Sequence, residues 1–302
     1  RSHHQHFASW RCAPVGPPLR AIVSDGRGTH YIMATFSTSP FWAVVLAADR
    51  TSADPVALAA GVPCKALAPV GGRPMLLRVL DALSAAEEVG DCILCGPSAD
   101  LLEGVPEIRE RIGTGALRWL PHQATPSTSA LSALHSLPAD APVLLTTADH
   151  ALLSAPVVDY FCKKARTSGC DVVAGLASHA MTLARYPGMR RTKTRFRDGP
   201  YCGCNLYAFL TPASRTAADF WRRVEHQRKR PLKMIAELGW LTALRYVLKT
   251  LSLNGALRLV SKRMGVKAGA VVLPFAEAAV DVDSVNDWRF AQAIAAGTEA
   301  RA

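Results

Sequence analysis

The reading of this chain turns on two stretches, FWAVVLAADR (Phe41–Arg50) and CKALAPVGGRPMLLRVLDAL (Cys64–Leu83). Phe41–Ala47 is an unbroken apolar run of strand length. Continuous rather than alternating apolarity predicts a strand buried on both faces, as in a parallel sheet. Such a strand delivers its C-terminal end to the sheet edge where α/β proteins bind ligands. Ala48 to Cys64 reads as a long loop. Gly71–Gly72 permits a tight turn, and Pro74–Ala86 has helical spacing with Pro in its first turn. Backbone amides of such a loop can cradle phosphates, with Lys65 as a point positive charge. An ordinary loop with a solvated lysine fits the same residues.

Outward from there, Asp91–Cys95, Leu117–Leu120, Val143–Thr147 and Asp171–Leu176 read as further strands. Ser127–Leu137 and Pro156–Thr167 read as helices between them. Past residue 185, Thr192–Arg197 and Cys204–Leu210 are extended around the turn Asp198–Gly199. Val271–Pro274 and Ala279–Val282 return to strand, and Val285–Ala296 closes as a helix. The alternation predicts an α/β fold: a mostly parallel central sheet with helices on both faces. Residues 212–264 read as a helical insertion. Residues 1–32 carry His3, His4 and His6 and a Pro/Gly/Arg-rich stretch without periodicity. They are expected to be a tag or non-native extension ahead of a domain spanning 33–302.

The chain's 302 residues are 49% hydrophobic and 20% charged, which excludes a mainly disordered protein. Thirty-five Lys and Arg against 24 Asp and Glu give a net charge of +11, favouring anionic partners. No apolar run reaches the length of a membrane span. Eight cysteines without a secretory signal read as reduced thiols of a cytoplasmic protein. Cys92 and Cys95, and Cys202 and Cys204, fall in strand-like runs, where core thiols are expected rather than zinc ligands.

Five segments, in order, resemble the MobA-like nucleotidyltransferases, an NTP transferase family with a Rossmann-like, GT-A-type fold. LAAD, Lys65, Leu67, Pro69–Val70, Gly72 and Pro74–Met75 match its opening pattern. QATPSTSALSALHSL (Gln123–Leu137) is similar to the segment that helps hold base and ribose. LLTTADHALL (Leu144–Leu153) is similar to the strand ending in the metal-binding aspartate. YCGCNLYAF (Tyr201–Phe209) resembles the substrate segment, and VDVDSVNDW (Val280–Trp288) the acidic segment near the C terminus. Asp49 stands where the family has glycine, and Cys204 replaces the second glycine of the substrate segment.

The resemblance implies transfer of NMP from an NTP, CTP or GTP, to a phosphorylated sugar, polyol or cofactor precursor. Pyrophosphate is released and Mg²⁺ assists. It implies Lys65 and Asp149 as catalytic residues. Leu46, Ala47, Ala48, Asp49, Arg50, Lys65, Gln123, Ser127 and Ser129 would hold the nucleotide. Arg191, Lys193, Gly203 and Asn205 would hold the acceptor, and Asp149, Asp281 and Asp283 the metal. Position supports part of this. Asp149 directly follows a buried strand, and Asp281 and Asp283 flank Val282, so in a strand both face one way. A helix cap and a loop carboxylate would read the same. Two carboxylates at one edge repel. Asp149→Asn is therefore expected to preserve or slightly raise stability without metal.

MRRTKTRFR (Met189–Arg197) fits capture of a substrate phosphate, and equally a solvated edge strand. Within the insertion, residues 228–264 are basic and amphipathic. Core packing, a lid, a homodimer surface and peripheral contact with an anionic membrane all fit them. Two rival functions stand beside nucleotidyl transfer: a GT-A glycosyltransferase, and an idle nucleotide- or lipid-binding member. No nucleic-acid-binding module is recognisable, so no nucleic-acid partner is expected.

Overall fold

The computed structural model describes residues 22–24, 30–32, 39–49, 53–189, 192–225 and 250–297. The chain divides into two units, Arg1–Ser37 and Thr38–Ala302. In the first, Ile22–Ser24 (β1) and His30–Ile32 (β2) pair antiparallel, Val23 opposite Tyr31. The central sheet belongs to the second unit.

Its first strand, Phe41–Leu46 (β3), is central, and Phe41, Ala43, Val44 and Val45 are fully buried. Val89–Cys95 (β6) pairs parallel on one side of β3, followed outward by Arg118–Leu120 (β7). On the other side lies Val143–Thr147 (β8), also parallel. Beyond β8 come Gly199–Phe209 (β11), Val172–Ser178 (β9) and Ala268–Leu273 (β12). Among these seven strands β11 alone runs against the others, and Thr194–Phe196 (β10) pairs with it as a hairpin. The chain thus leaves β3 toward β6 and β7, then crosses back to β8. That reversal makes a crevice at the C-terminal ends of β3 and β8.

Residues of alternate parity point to opposite sheet faces. Val44, Ile93, Val143 and Leu145 share one apolar cluster with Pro126–His135 (α5) and Arg215–Val224 (α8). Ala43, Val45, Leu94 and Leu144 are equally buried and face the other way, toward Met75–Ser84 (α2) and Ala155–Arg166 (α6). Helix α2 buries seven of its ten residues. Each large apolar side chain so buried contributes about 1.5–3 kcal/mol.

The loop expected from Ala48 to Cys64 contains a helix, Pro55–Ala60 (α1). Its punctuation is legible afterwards: Asp54 caps the N-terminus, Pro55 opens the first turn, and Gly61 ends it at φ 66°. Pro69–Val70 (β4) and Arg73–Pro74 (β5) form a two-residue hairpin through Gly71 and Gly72, φ 60° and 77°. Both positions need the left-handed region, which is the glycine requirement of this turn.

The strand expected at Ala279–Val282 is absent: a 3-10 turn, Glu277–Ala279, gives way to irregular chain. Val280 and Val282 favour a strand, but Asp281 between them does not, and the main-chain N–H groups of the two valines go to Glu277 and Asp149 rather than to a ladder. Of the expected insertion, 212–225 and 250–264 are described and largely helical, including Leu253–Met264 (α9), while 226–249 lie outside the described residues. Helix α9 starts where Asp198, in the β10–β11 turn, accepts the Leu253 N–H. Val285–Ala295 (α10) closes the fold behind a Ser284–Asp287 capping box.

Candidate active site

The crevice between β3 and β8 is built from strand ends. Ala148 donates its N–H to the Leu46 carbonyl, and Ala47 donates to Cys95, so the chain leaves both strands in register. Asp149 follows β8 by two residues. The Thr147 hydroxyl donates to its Oδ1 at 2.6 Å and Lys65 Nζ to its Oδ2 at 2.7 Å. Val282 closes the group, its N–H donating to the Asp149 carbonyl and its own carbonyl accepting from Lys65 Nζ at 3.1 Å. Arg78 of α2 steadies the chain after Asp149 through the Ala151 carbonyl at 2.7 Å.

Asp49 holds the other end of Lys65, accepting its backbone N–H at 2.9 Å. Asp49 needs no left-handed backbone to do this. Among the described non-glycine residues, only Asn205 has a positive φ, 48°. Asn205 sits where β11 slips register against β9 between Gly203 and Tyr207. Bulges of this kind re-aim a side chain, and here Asn205 donates to Asp281 at 2.9 Å.

A cavity of about 690 Å³ gathers these groups. Its polar end carries Asp49, Asp54, Asp149, Asp281 and Asp283 against the single ammonium of Lys65, among the described residues. In a protein of net charge +11 this is a strongly acidic spot. Burial alone would push the Asp149 carboxyl up, but the charge and hydrogen bonds of Lys65 and Thr147 hold it below 3.8. Burial likewise favours neutral Lys65, yet Asp149 wins and the ammonium is held above 10.5. Both shifts describe one ion pair. The lowered carboxyl contributes stability above pH 3.8 that is lost as pH falls through its folded value. The raised ammonium contributes below pH 10.5 and is lost as pH rises through its own. The melting-temperature gap between wild type and Lys65→Met should therefore be widest from neutral to mildly alkaline pH and narrow at both extremes.

Asp49 behaves oppositely. Burial, reinforced by Asp54 and Asp149, raises its pKa despite the Lys65 N–H. Its charge is thus a cost above the ordinary value of 3.8 that vanishes below it. Asp49→Asn keeps an acceptor for Lys65 and removes the charge. It should raise the melting temperature at pH 7 by about 1–2 °C and strengthen binding of a polyphosphate. Thermal melts across pH check the first, a nucleotide titration the second.

The cavity brings together Leu46, Ala47, Ala48, Asp49, Lys65, Asn205 and the three aspartates expected to hold metal. Asp281 is buried and Asp283 exposed, so the expectation that both face one way from a strand fails with the strand. Gln123, Ser127, Ser129, Lys193 and Gly203 do not line it. The Ser129 hydroxyl accepts the Gln123 N–H, Ser127 is held by Glu225, and Lys193 meets His179. Arg50 and Arg191 lie outside the described residues. Thr147, Asp54 and Arg78 were not singled out from sequence. Thr147 had a signal, since it lies two residues before Asp149 at a strand end.

Among the described residues, no three His, Cys, Asp or Glu side chains form a ready metal shell. Mg²⁺ does not need one, taking one or two carboxylates and completing its shell with phosphate oxygens and water. Five carboxylates beside one ammonium would repel a polyphosphate unless cations intervened, so hard oxygen donors and surplus negative charge fit such an ion. The described cysteines are free thiols, and burial pushes Cys95 up to about 12. No helix among the described residues is long and apolar enough to cross a membrane.

Comparison with known proteins gives the MobA-like NTP transferase domain over residues 43–266. A hypothetical transferase from Thermus thermophilus is 32% identical, with a TM-score of 0.69, covering 82% of this chain and 99% of its own. A CMP:2-keto-3-deoxy-manno-octonic acid synthetase complexed with CTP is 11% identical with a TM-score of 0.51, covering 85% and 99%, a likeness of fold. Among curated proteins none matches.

Proposed function

Because the chain belongs to the MobA-like NTP transferase family, we propose that it transfers NMP from an NTP, CTP or GTP, to a phosphorylated small-molecule acceptor. The observation that carries this reading is the Lys65–Asp149 pair at the reversal point of the sheet. Each partner is matched to half of a metal–triphosphate: an ammonium for phosphate oxygens, a carboxylate for a divalent cation.

In the reaction a phosphate oxygen of the acceptor attacks the α-phosphorus. A new P–O bond forms, the bond to the α–β bridging oxygen breaks, and pyrophosphate leaves. The attacking oxygen is already anionic, so no side chain must take a proton. The protein's work is positioning and neutralising charge. Lys65 binds phosphate oxygens. Ala47 and Ala48 bring main chain to the triphosphate, while Asp49 fixes Lys65. Gln123, Ser127 and Ser129 shape the loop ahead of α5, on the nucleoside side. Asn205, with Gly203 and Lys193 on the same antiparallel region, faces the acceptor. Asp149, with Asp281 and then Asp283, would hold Mg²⁺, whose charge, when bound, stabilises the pyrophosphate leaving group.

A thermal-shift screen of the four NTPs with and without Mg²⁺ tests this reading. A ligand at a hundred times its Kd adds about 2.7 kcal/mol, a shift of several degrees. One NTP should stabilise the protein in a Mg²⁺-dependent way. No shift with any NTP would remove the basis of the proposal. A glycosyltransferase would instead respond to a nucleotide sugar and release no pyrophosphate.

A further inference from the structure

The cavity does not end at the aspartates. It continues along the sheet face under α8 and α9, where its floor is two rows crossing the sheet in register. Leu145, Tyr207 and Ala174 make one row, and Phe209 and Val172 the next. Small residues leave it room: Ala217 and Ala218 on α8 and Ala268 of β12 line it. Its roof includes Leu257, Val260 and Met264, an apolar stripe of α9 at three and four spacing. No residue of α9 is buried, so that stripe lines the space rather than sealing against the sheet. Tyr207 registers the same opening. It lies on a strand paired on both sides, under helices, yet is 38% accessible.

We infer that the acceptor is an amphiphile, a phosphate monoester of a long alkyl or isoprenoid alcohol, with its phosphate at the polar end beside Asn205 and its chain in this apolar extension. The inference rests on the nucleotidyl-transfer reading and names its acceptor class. Continuity carries it: one cavity joins the acidic, lysine-bearing end to an end whose described lining has no charged side chain. A nucleobase would leave its ring donors and acceptors unmet there, because only Tyr207 and Trp221 offer polar side-chain atoms. A sugar or polyol would lose more. A hydrocarbon chain loses nothing and gains from every methylene buried. The chemistry is unchanged: the monoester oxygen bonds to the α-phosphorus and pyrophosphate departs, leaving a nucleoside diphosphate ester of the chain.

Calorimetric titration with dodecyl phosphate, farnesyl phosphate and glycerol 3-phosphate, below micellar concentration, tests this. Wild type should bind at least one chain-bearing phosphate roughly tenfold or more tightly than glycerol 3-phosphate, since each buried methylene contributes several-fold. Dodecyl against farnesyl separates the straight-chain from the isoprenoid source. Leu257→Trp fills the extension and Val260→Asp places a charge in it. Both lie on a helix with no buried residue, so folding should survive, and both should abolish the chain preference. Their NTP binding should stay at the wild-type level, which also reports that the variants are folded. Equal affinity for glycerol 3-phosphate, binding of none of the three, or a preference that survives both variants overturns the inference. A chain preference without NTP binding by the wild type would instead sink the nucleotidyl-transfer reading and leave the chain site standing.

Discussion

Asp149→Asn is expected to lower pyrophosphate release by at least about a hundredfold, the scale on which loss of one electrostatic contact to a developing charge is felt. The amide keeps the shape and can still accept from Thr147, but it cannot attract a divalent cation or hold the Lys65 ammonium. Stability should fall as well, by about 1.5–3 kcal/mol, the range of a hydrogen bond to a charged group. The expectation from sequence had the opposite sign, because it counted only repulsion between carboxylates. The structure places a built-in cation, Lys65 Nζ, 2.7 Å from Asp149, so removing the carboxylate strands a largely buried ammonium. The two signs separate cleanly in a urea or thermal melt. Lys65→Met combined with Asp149→Asn removes both charges and should be at least as stable as either single variant.

Lys65→Ala should weaken NTP binding by about 1.5–3 kcal/mol, roughly ten- to over a hundredfold in Kd, through loss of a charge-assisted contact to phosphate. The same change leaves Asp149 buried with Thr147 as its remaining side-chain donor among the described residues of the site. Its pKa should then rise, and the variant should gain stability on mild acidification where wild type does not. Isothermal titration with the stabilising NTP checks the affinity, and melts between pH 4 and 7 check the sign. Unchanged NTP affinity would take Lys65 out of the phosphate site.

Both predictions depend on residues that the sequence made visible, and for a physical reason. Val143–Thr147 was bounded correctly because strands buried on both faces are continuous apolar runs, and such a run ends where the chain meets solvent. Asp149 follows at once, so its place at the sheet edge needed no tertiary information. The turn Gly71–Gly72 was equally local, since only glycine takes two successive positive φ angles readily. Asp281 is different. It was placed by assuming a strand that does not form, yet it reaches the cavity because Val282 hydrogen-bonds the Asp149 main chain. That contact spans more than a hundred residues and leaves no periodic trace.

Local competition explains the other departures. Ser127 and Ser129, read as nucleotide contacts, also have partners within the protein that the sequence did not reveal, since a hydroxyl near a helix N-terminus is readily taken by its neighbours. Ser129 receives the Gln123 N–H and Ser127 meets Glu225, a partner 98 residues away. The role of Asp49 was also invisible. From sequence it stood among the residues that would hold the nucleotide, with nothing to show that its carboxylate accepts the Lys65 backbone N–H. Helix α1 was legible from Asp54, Pro55 and Gly61, and was hidden only by the expectation of one long loop. The apolar extension had no signature in sequence at all, because Ala217, Ala218 and Ala268 read as ordinary small core residues until the fold brings them to one cavity.

The measurement closest to the central claim is pyrophosphate release in the presence of Mg²⁺, the stabilising NTP and a panel of phosphate monoesters. The panel should run from sugar and polyol phosphates to dodecyl and farnesyl phosphate, with Asp149→Asn as the control. Nucleotidyl transfer predicts pyrophosphate in step with consumption of one acceptor, dependent on Mg²⁺ and reduced at least about a hundredfold in the control. Binding of NTP with no pyrophosphate released from any acceptor, or release that Asp149→Asn leaves intact, would contradict it.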